Sequence, residues 1–476
     1  MMKLLPYQER RHAPARGTSP DFLTRRHHHR RRPVWRSMLI WTLGSALATP
    51  YPAYAETLKE AIGIALGQHP QILGARRNAE AIRHEVNGAA NAMNARFGIV
   101  AEPSIAYQRG SGRDRRAGDL GAQITKPIYD GGRTDNETDR QRARLSGANY
   151  STEAARDDIA LRVADAYIEV AKQQLLAELA HDYVAGIAAL QQRVQEIVRI
   201  DKGRGYDLLQ TNSRLSQAKI TLADREGQLA EAREALTQLI GQPVKGVSDT
   251  QPPGPPIRSL QEAFDLLATH PTIMARQADV AAARKAAAVA DAWTKPTLNL
   301  RARVNSPRDF DGKRHWFGGY DLGLVTDWSP FDGGVGSAAA AAANAQVLTA
   351  EEAVANTRRA LQTDVARHWT QIQSRMGRVS TRAELVESTR QVRAAYWEQF
   401  QIGKRSIIDL LNAENEIYAA RLGAATEQAE LNQARYRLLG ATGQLLPRLG
   451  FAPLPPVTEK IPGQNNQGIP PLPELN

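Results

Sequence analysis

The chain has no cysteine. That excludes a disulfide framework, a cysteine metal centre and a nucleophilic thiol, and it leaves no cysteine for lipid acylation near the N-terminus. Aromatic residues amount to 6%, little for the dense core of a large globule, and Ala, Arg, Gln, Glu and Leu dominate the middle. Charge of one sign is also missing from the body. The net charge is +11, but residues 1–55 hold ten Lys/Arg against two Asp/Glu, and the rest holds 51 against 48. Runs such as Arg25-Arg26 and Arg30-Arg31-Arg32 therefore belong to a leader, and no nucleic-acid partner is expected. Long apolar runs are absent as well. The stretch from Met38 to Ala48 is shorter than the roughly 20 residues of a membrane helix. It lies between a basic segment ending at Arg36 and the small-residue site Pro52-Ala53-Tyr54-Ala55, the layout of an export signal cleaved before Glu56. Residues 1–55 are read as that leader, with Met38 as an alternative start. The mature chain is expected outside the cytoplasm, and any membrane crossing has to be made by strands.

What is present is said twice. Leu58-x-Glu60-Ala61, His69-Pro70, Asp130-Gly131-Gly132 and Asp207-Leu208-Leu209 return as Leu260-x-Glu262-Ala263, His270-Pro271, Asp332-Gly333-Gly334 and Asp409-Leu410-Leu411, at offsets of 202, 201, 202 and 202. A period this long marks a duplicated half-molecule rather than a solenoid unit. The first repeat is placed at 56–252, the second at 253–446, and a Pro-rich tail at 447–476 is expected to be disordered.

Each repeat begins with a short helix broken at His-Pro, because proline does not sit in a helix interior. A second helix is expected from Gln71 to about residue 97. The paired histidines read as helix punctuation rather than metal ligands. Stretches of period two come next. Leu298, Leu300, Ala302 and Val304 alternate with Asn299, Arg301 and Arg303; Tyr320, Leu322 and Leu324 alternate with Asp321, Gly323 and Val325; Leu120, Ala122 and Ile124 alternate with Asp119, Gly121 and Gln123. These are half-buried strands, giving hairpins over 98–130 and 295–332 with polar connections at 109–117 and 305–317. One apolar face and one charged face suit a membrane barrel. Four strands cannot leave bare edges in lipid. Two copies would supply eight strands and three would supply twelve, and only the larger number leaves an open lumen.

Asp130-Gly131-Gly132 and Asp332-Gly333-Gly334 read as sharp strand-to-helix turns in which the aspartate caps the next helix. Proline-free helices of 67 residues are expected at 134–200 and 336–402, each about 100 Å long. Leu176, Ala180, Tyr183, Ile187, Leu190, Val194 and Ile197 form a coiled-coil seam. The return helices, 206–240 and 406–445, carry heptads of their own: Leu208, Leu215, Leu222, Leu229, Leu236 and Leu410, Ile417, Ala424, Leu431, Leu438, Leu445. The pre-hairpin helix and the return helix, laid end to end, nearly match one long helix, so each repeat supplies two columns. Exposed tips lie at 202–207 and 403–409, far from the strands.

Phe400-x-x-Gly403-x-Arg405-Ser406-x-x-Asp409-Leu410-Leu411-Asn412-Ala413-Glu414-Asn415, then Tyr418-x-Ala420-Arg421 and Arg437-Leu438-Leu439-x-Ala441-Thr442-Gly443, resemble the TolC family of outer-membrane channel proteins. The resemblance spans roughly Thr57 to Leu446. It implies a mainly α-helical homotrimer whose twelve-stranded barrel sits in the outer membrane of a Gram-negative bacterium and whose helical tunnel crosses the periplasm. It implies a periplasmic adaptor docked at Gly203, Arg204, Gly205, Tyr206 and at Gly403, Lys404, Arg405, Ser406, with an inner-membrane ABC or proton-driven pump behind it. Asp409 matches an acidic gate-ring position; Asn412 stands where the family carries a second aspartate. Asp207 and Arg405 match tip residues that link neighbours and hold the tunnel shut. The run from Arg405 to Asn415 is closest to members serving type I protein secretion, ahead of drug or metal efflux.

An enzyme is not expected: there is no nucleophile motif, phosphate loop or His/Glu ligand cluster, no cofactor is implied, and Asp157-Asp158 reads as part of a solvated helix face. A periplasmic coiled-coil scaffold would account for the seams and the leader but not for the paired amphipathic hairpins.

Overall fold

The computed structural model describes residues 57–108, 113–244, 246–309 and 319–459. The expected leader, the far end of the tail and parts of both strand connections lie outside them. The described chain forms nine α-helices and one sheet, laid down as the same series twice.

The repeated Leu-x-Glu-Ala motif is a helix start. Thr57 caps α1 (Leu58–Gln68) in a reciprocal box with Glu60, and Ser259 Oγ accepts from Glu262 N at the start of α5 (Leu260–Asp265). Each cap satisfies an N–H group that the first helical turn leaves unpaired. His-Pro is also a cap. His69 Nδ1 accepts from Gln71 N and His270 Nδ1 from Thr272 N, opening α2 (Pro70–Ala90) and α6 (Pro271–Asp291), with the proline at the position that needs no N–H. Burial lowers the His270 pKa, against a backbone hydrogen bond with Gly440 that raises it. Among the described residues no group of His and carboxylates is arranged to hold a metal.

α2 ends earlier than the periodicity predicts. A tight turn over Asn91–Met93, closed by Asn94 Nδ2 donating to Asn91 Oδ1, stops the helix, and strand starts at Arg96. Residues 91–97 keep helix-compatible spacing, but the Asn side chains compete for the backbone. The strands β1 (Arg96–Gln108), β2 (Arg113–Tyr129), β3 (Thr297–Asp309) and β4 (Gly319–Asp327) pair antiparallel in the order β1-β2-β3-β4. β2 and β3 run several residues into the stretches expected as polar connections, because strand pairing there needs no apolar anchor. The register aligns Phe97, Ile124, Ala302 and Leu322 in one row and Gly98, Gln123, Arg303 and Asp321 in the next. Adjacent rows point to opposite faces, so the sheet has an apolar face and a charged one. The apolar face is bare: Phe97, Ile99 and Leu322 are 70%, 73% and 73% exposed.

Behind the sheet run α3 (Arg133–Ile200) and α7 (Val335–Gln401), with return helices α4 (Gly205–Ile240) and α8 (Ile407–Ala441). α3 packs against α2 and α4 along one flank and against α6 and α8 along the other, and α6 and α8 in turn pack against α7. The order is short pair, long helix, short pair, long helix: four columns. Leu176, Ala180, Tyr183, Ile187, Leu190 and Val194 are all buried, as the seam requires. Glycine lets α3 and α8 approach closely, since a Cβ at Gly440 would lie 2.9 Å from Leu161 Cδ2. α8 stops at Ala441, four residues before the expected end; Gly443 adopts a left-handed turn and α9 (Leu445–Arg448) comes after it.

Two further expectations are corrected. The tail is ordered as far as Glu459: buried Arg156 donates to Ala452 O, Leu454 N donates to Glu153, Asn149 and Val457 bond reciprocally, and Glu459 pairs with Arg142. Val457 also packs on the Ala79–Ile82–Leu145 cluster. Prolines limit the conformations this strap must give up, so few contacts hold it. Asp157, read as solvated, is half-buried, and burial reinforced by Glu153 pushes its carboxyl up to about 7, against Arg156. Its neighbour Asp158 is exposed and paired with Arg162.

Candidate functional site

Two sites are built by the duplication, one at each end of the helices. At the sheet end, both Asp-Gly-Gly turns have the same geometry. Gly131 and Gly132 sit at φ +72° and +82°, Gly333 and Gly334 at +71° and +91°, a region that favours glycine. Asp130 accepts from Gly132 N (3.0 Å) and Thr134 N (2.7 Å); Asp332 accepts from Gly334 N (3.0 Å) and Gly336 N (2.5 Å). Burial raises the Asp130 carboxyl, but hydrogen bonds from Thr134, Gly132 and Arg133 outweigh it and hold the group below its ordinary value. Each aspartate thus welds a strand exit to the start of a long helix.

The other end carries the tips. α3 ends at Ile200, then a turn over Lys202–Arg204 has Gly203 N donating to Asp201, and α4 starts at Gly205. In the second repeat Gly403 takes φ +75°, Lys404 N returns to Gln399 O, and Ser406 caps α8. Ile200 and Ile402, at equivalent places, are 91% and 66% exposed, and Tyr206 stands out beside them.

The expected site residues come together only in part. Asp207 pairs with its own Arg204 at 2.8 Å, and the Arg204 guanidinium lies 5.9 Å from the centre of the Phe400 ring. Arg405 stacks on Tyr396 at 4.3 Å, donates to Gln399 and stands 3.8 Å from Asp409. Within the chain, then, Asp207 and Arg405 do not pair with each other. Asp409 closes a capping box: its carboxylate accepts from Ser406 N and Oγ, and its own N–H donates to Ser406 Oγ. Asn412 is exposed and receives Arg214 of α4 at 3.5 Å, bridging the two tips. Arg214 and Tyr396 were not singled out from the sequence, and Phe400 was read only as the first residue of the tip motif. Arg214 lies on a different helix from Asn412, and Tyr396 stands nine residues before Arg405, across the turn that ends α7, so no helical spacing links either pair.

Just above the tips, α8 is pinned on both flanks. Tyr183 of α3 stacks on Tyr418 at 4.5 Å, and Arg421 pairs with Asp182. On the other side, Arg393 of α7 pairs with buried Glu414 at 2.5 Å. α8 is thus held by an aromatic stack and an ion pair to the first repeat and by a buried ion pair within the second.

Comparison with known proteins matches this geometry. The family described as outer membrane efflux protein matches residues 61–242 and 264–444, most of both repeats. Outer membrane efflux protein BepC of Brucella suis biovar 1 (strain 1330) is 22% identical over 340 residues, covering 70% of this chain and 73% of BepC. Outer membrane protein TolC of Vibrio cholerae serotype O1 (strain ATCC 39315 / El Tor Inaba N16961) is 20% identical over 431 residues, covering 88% and 94% of the two chains. The crystal structure of outer membrane protein VceC from Vibrio cholerae superposes with a TM-score of 0.66 at 19% identity, over 81% of this chain and 96% of VceC.

Proposed function

From the premise that this chain belongs to the outer membrane efflux protein family, as a channel of the TolC type and not an enzyme, we propose that three copies close a twelve-stranded barrel and work as the outer-membrane exit of a type I protein secretion system. The observation that carries the trimer is the sheet. Among the described residues its four strands end in two unpaired edges, β1 and β4, with a bare apolar face on one side and Arg301, Arg303 and Asp321 on the other. Lipid can satisfy the apolar face, but only another strand can satisfy an edge. Three copies give twelve strands, wide enough for a water-filled lumen.

In this reading the tips dock a periplasmic adaptor linked to an inner-membrane pump. The exposed Ile200 and Ile402, flanked by Arg204, Lys404 and Arg405, offer the apolar and basic surface for it. Asp409 lines the mouth. Asn412 gives the second ring position a neutral side chain. Opening separates Arg405 and Asp207 from neighbouring tips, a two-state step of the kind that bistable interfaces allow. Secretion is placed first because of the Arg405–Asn415 run; the efflux names of relatives such as BepC favour drug or metal efflux as the second reading.

Planar-bilayer recordings test the pore: discrete conductance steps are expected, and a protein that never conducts contradicts it. A strain lacking the chain separates the two readings. Loss of a protein from the culture medium at unchanged drug and metal tolerance supports secretion, and the reverse supports efflux.

A further inference from the structure

Of the three arginines on α8, two are paired: Arg421 with Asp182 and Arg437 with Asp165. Arg435 makes no hydrogen bond or ion pair among the described residues. It lines a cavity of about 430 Å³ between α7, α8 and the loop Pro252-Pro253-Gly254-Pro255-Pro256, together with Trp369, Met376, Arg258 and Arg448. Three arginines line an apolar floor there, of which Arg448 donates to Pro255 O, and among the described residues no carboxylate lines the space. The volume falls in the range that small ligands and peptide segments fill, about 300–1,000 Å³. Its chemistry calls for an apolar chain bearing an acid.

The chain carries such a segment: Ile469-Pro470-Pro471-Leu472-Pro473-Glu474-Leu475. We propose that this segment docks in the groove of its own chain, its prolines and Leu475 against Trp369 and Met376 and Glu474 against Arg435. A proline-rich stretch is preset as an extended helix, so its ordering costs little, and aromatic-lined grooves take such segments. The reach suffices. The strap ends at Glu459 beside Arg142. From Arg142 to Asp165, which holds Arg437 two residues from Arg435, is 23 residues of α3, about 35 Å. Glu459 to Glu474 is 15 residues, about 47 Å at the polyproline rise. Docking closes the tail into a loop over α3, with the strap as one arm, and ties the first repeat's long helix to the second repeat.

The absence of native cysteine makes the test clean. In the full-length chain, Gln373→Cys on the groove wall is paired with Leu475→Cys, and mild oxidation precedes non-reducing gels and mass spectrometry. An intrachain disulfide in most molecules is expected, with a yield at least fivefold above that of Val392→Cys paired with Leu475→Cys, a site on α7 beyond the tail's reach. Glu474→Arg lowers the yield severalfold, and adding Arg435→Glu restores it. Glu474→Arg alters only the tail, so its loss of yield does not reflect misfolding of the groove. Equal yields at the two wall positions, disulfide-linked dimers in place of intrachain bonds, or indifference to the charge reversal would each overturn the proposal.

Discussion

Removing the carboxylate of Asp130 tests how the strands are joined to the tunnel. Asp130 accepts two N–H groups, from Gly132 at 3.0 Å and Thr134 at 2.7 Å, which α3 leaves without helical partners. A capping side chain replaced by alanine costs about 0.5–2 kcal/mol, and hydrogen bonds to a charged acceptor contribute about 1.5–3 kcal/mol each. Because Asp130 is half-exposed, water takes over part of the lost bonding, and about 2 kcal/mol per subunit is expected for Asp130→Ala. Asn keeps one acceptor, so Asp130→Asn loses about half. The assay is the melting of helical circular dichroism in detergent, where roughly 2 kcal/mol lowers the midpoint by several degrees. The pH dependence has a definite sign. The folded carboxyl titrates below its ordinary value of 3.8, so its stabilisation is complete above about pH 4 and is lost as pH falls through the folded value. The gap between wild type and Asp130→Ala should hold from pH 8 to pH 5 and close in stronger acid. Equal melting at pH 7, or a gap that widens in acid, would refute the capping argument.

Three further outcomes rest on named contacts. Asp157 keeps its proton up to about pH 7 when folded against an ordinary 3.8, so the folded state binds more protons between those values and stability falls as pH rises through them; Asp157→Asn should raise the melting midpoint at pH 8 and leave it unchanged near pH 4. Gly440→Val drives a Cβ into Leu161 and should cost about 1–3 kcal/mol, read as a lower melting midpoint, whereas the same change at Gly227, where a Cβ meets nothing within 4 Å, should cost no more than its change in helix propensity. Asp409→Ala removes the α8 capping box, about 1 kcal/mol; if Asp409 also rings the mouth, reversal potentials should show weaker cation preference and trivalent cations should block less. An unchanged reversal potential would leave Asp409 a capping residue only.

Much of this architecture was legible because the duplication repeats its punctuation. Asp-Gly-Gly, Leu-x-Glu-Ala and the α3 seam each report a local requirement, a positive φ, an N-cap or a buried stripe, and the structure meets them, whereas Leu208, Leu215, Leu222 and Leu229 of the α4 heptad are only half-buried. The strand edges were harder to read. Residues 113–117 and 305–309 carry no apolar alternation, since backbone pairing alone extends the hairpins beyond their hydrophobic rows. The strap was misread because proline content resembles disorder, while its anchors, Asn149, Glu153 and Arg156, lie about 300 residues away in the sequence. The tip was half legible. Asp409 shows itself as the third residue after a capping serine, but the Arg405–Tyr396 stack folds a turn residue back onto the end of α7 and the Arg214–Asn412 bridge joins two helices, and helical spacing signals neither.

The central claim is that the open sheet of one chain is completed by two others. Native mass spectrometry of the detergent-extracted mature protein tests it directly: a complex of three copies is predicted, and a particle of one or two copies would contradict the account.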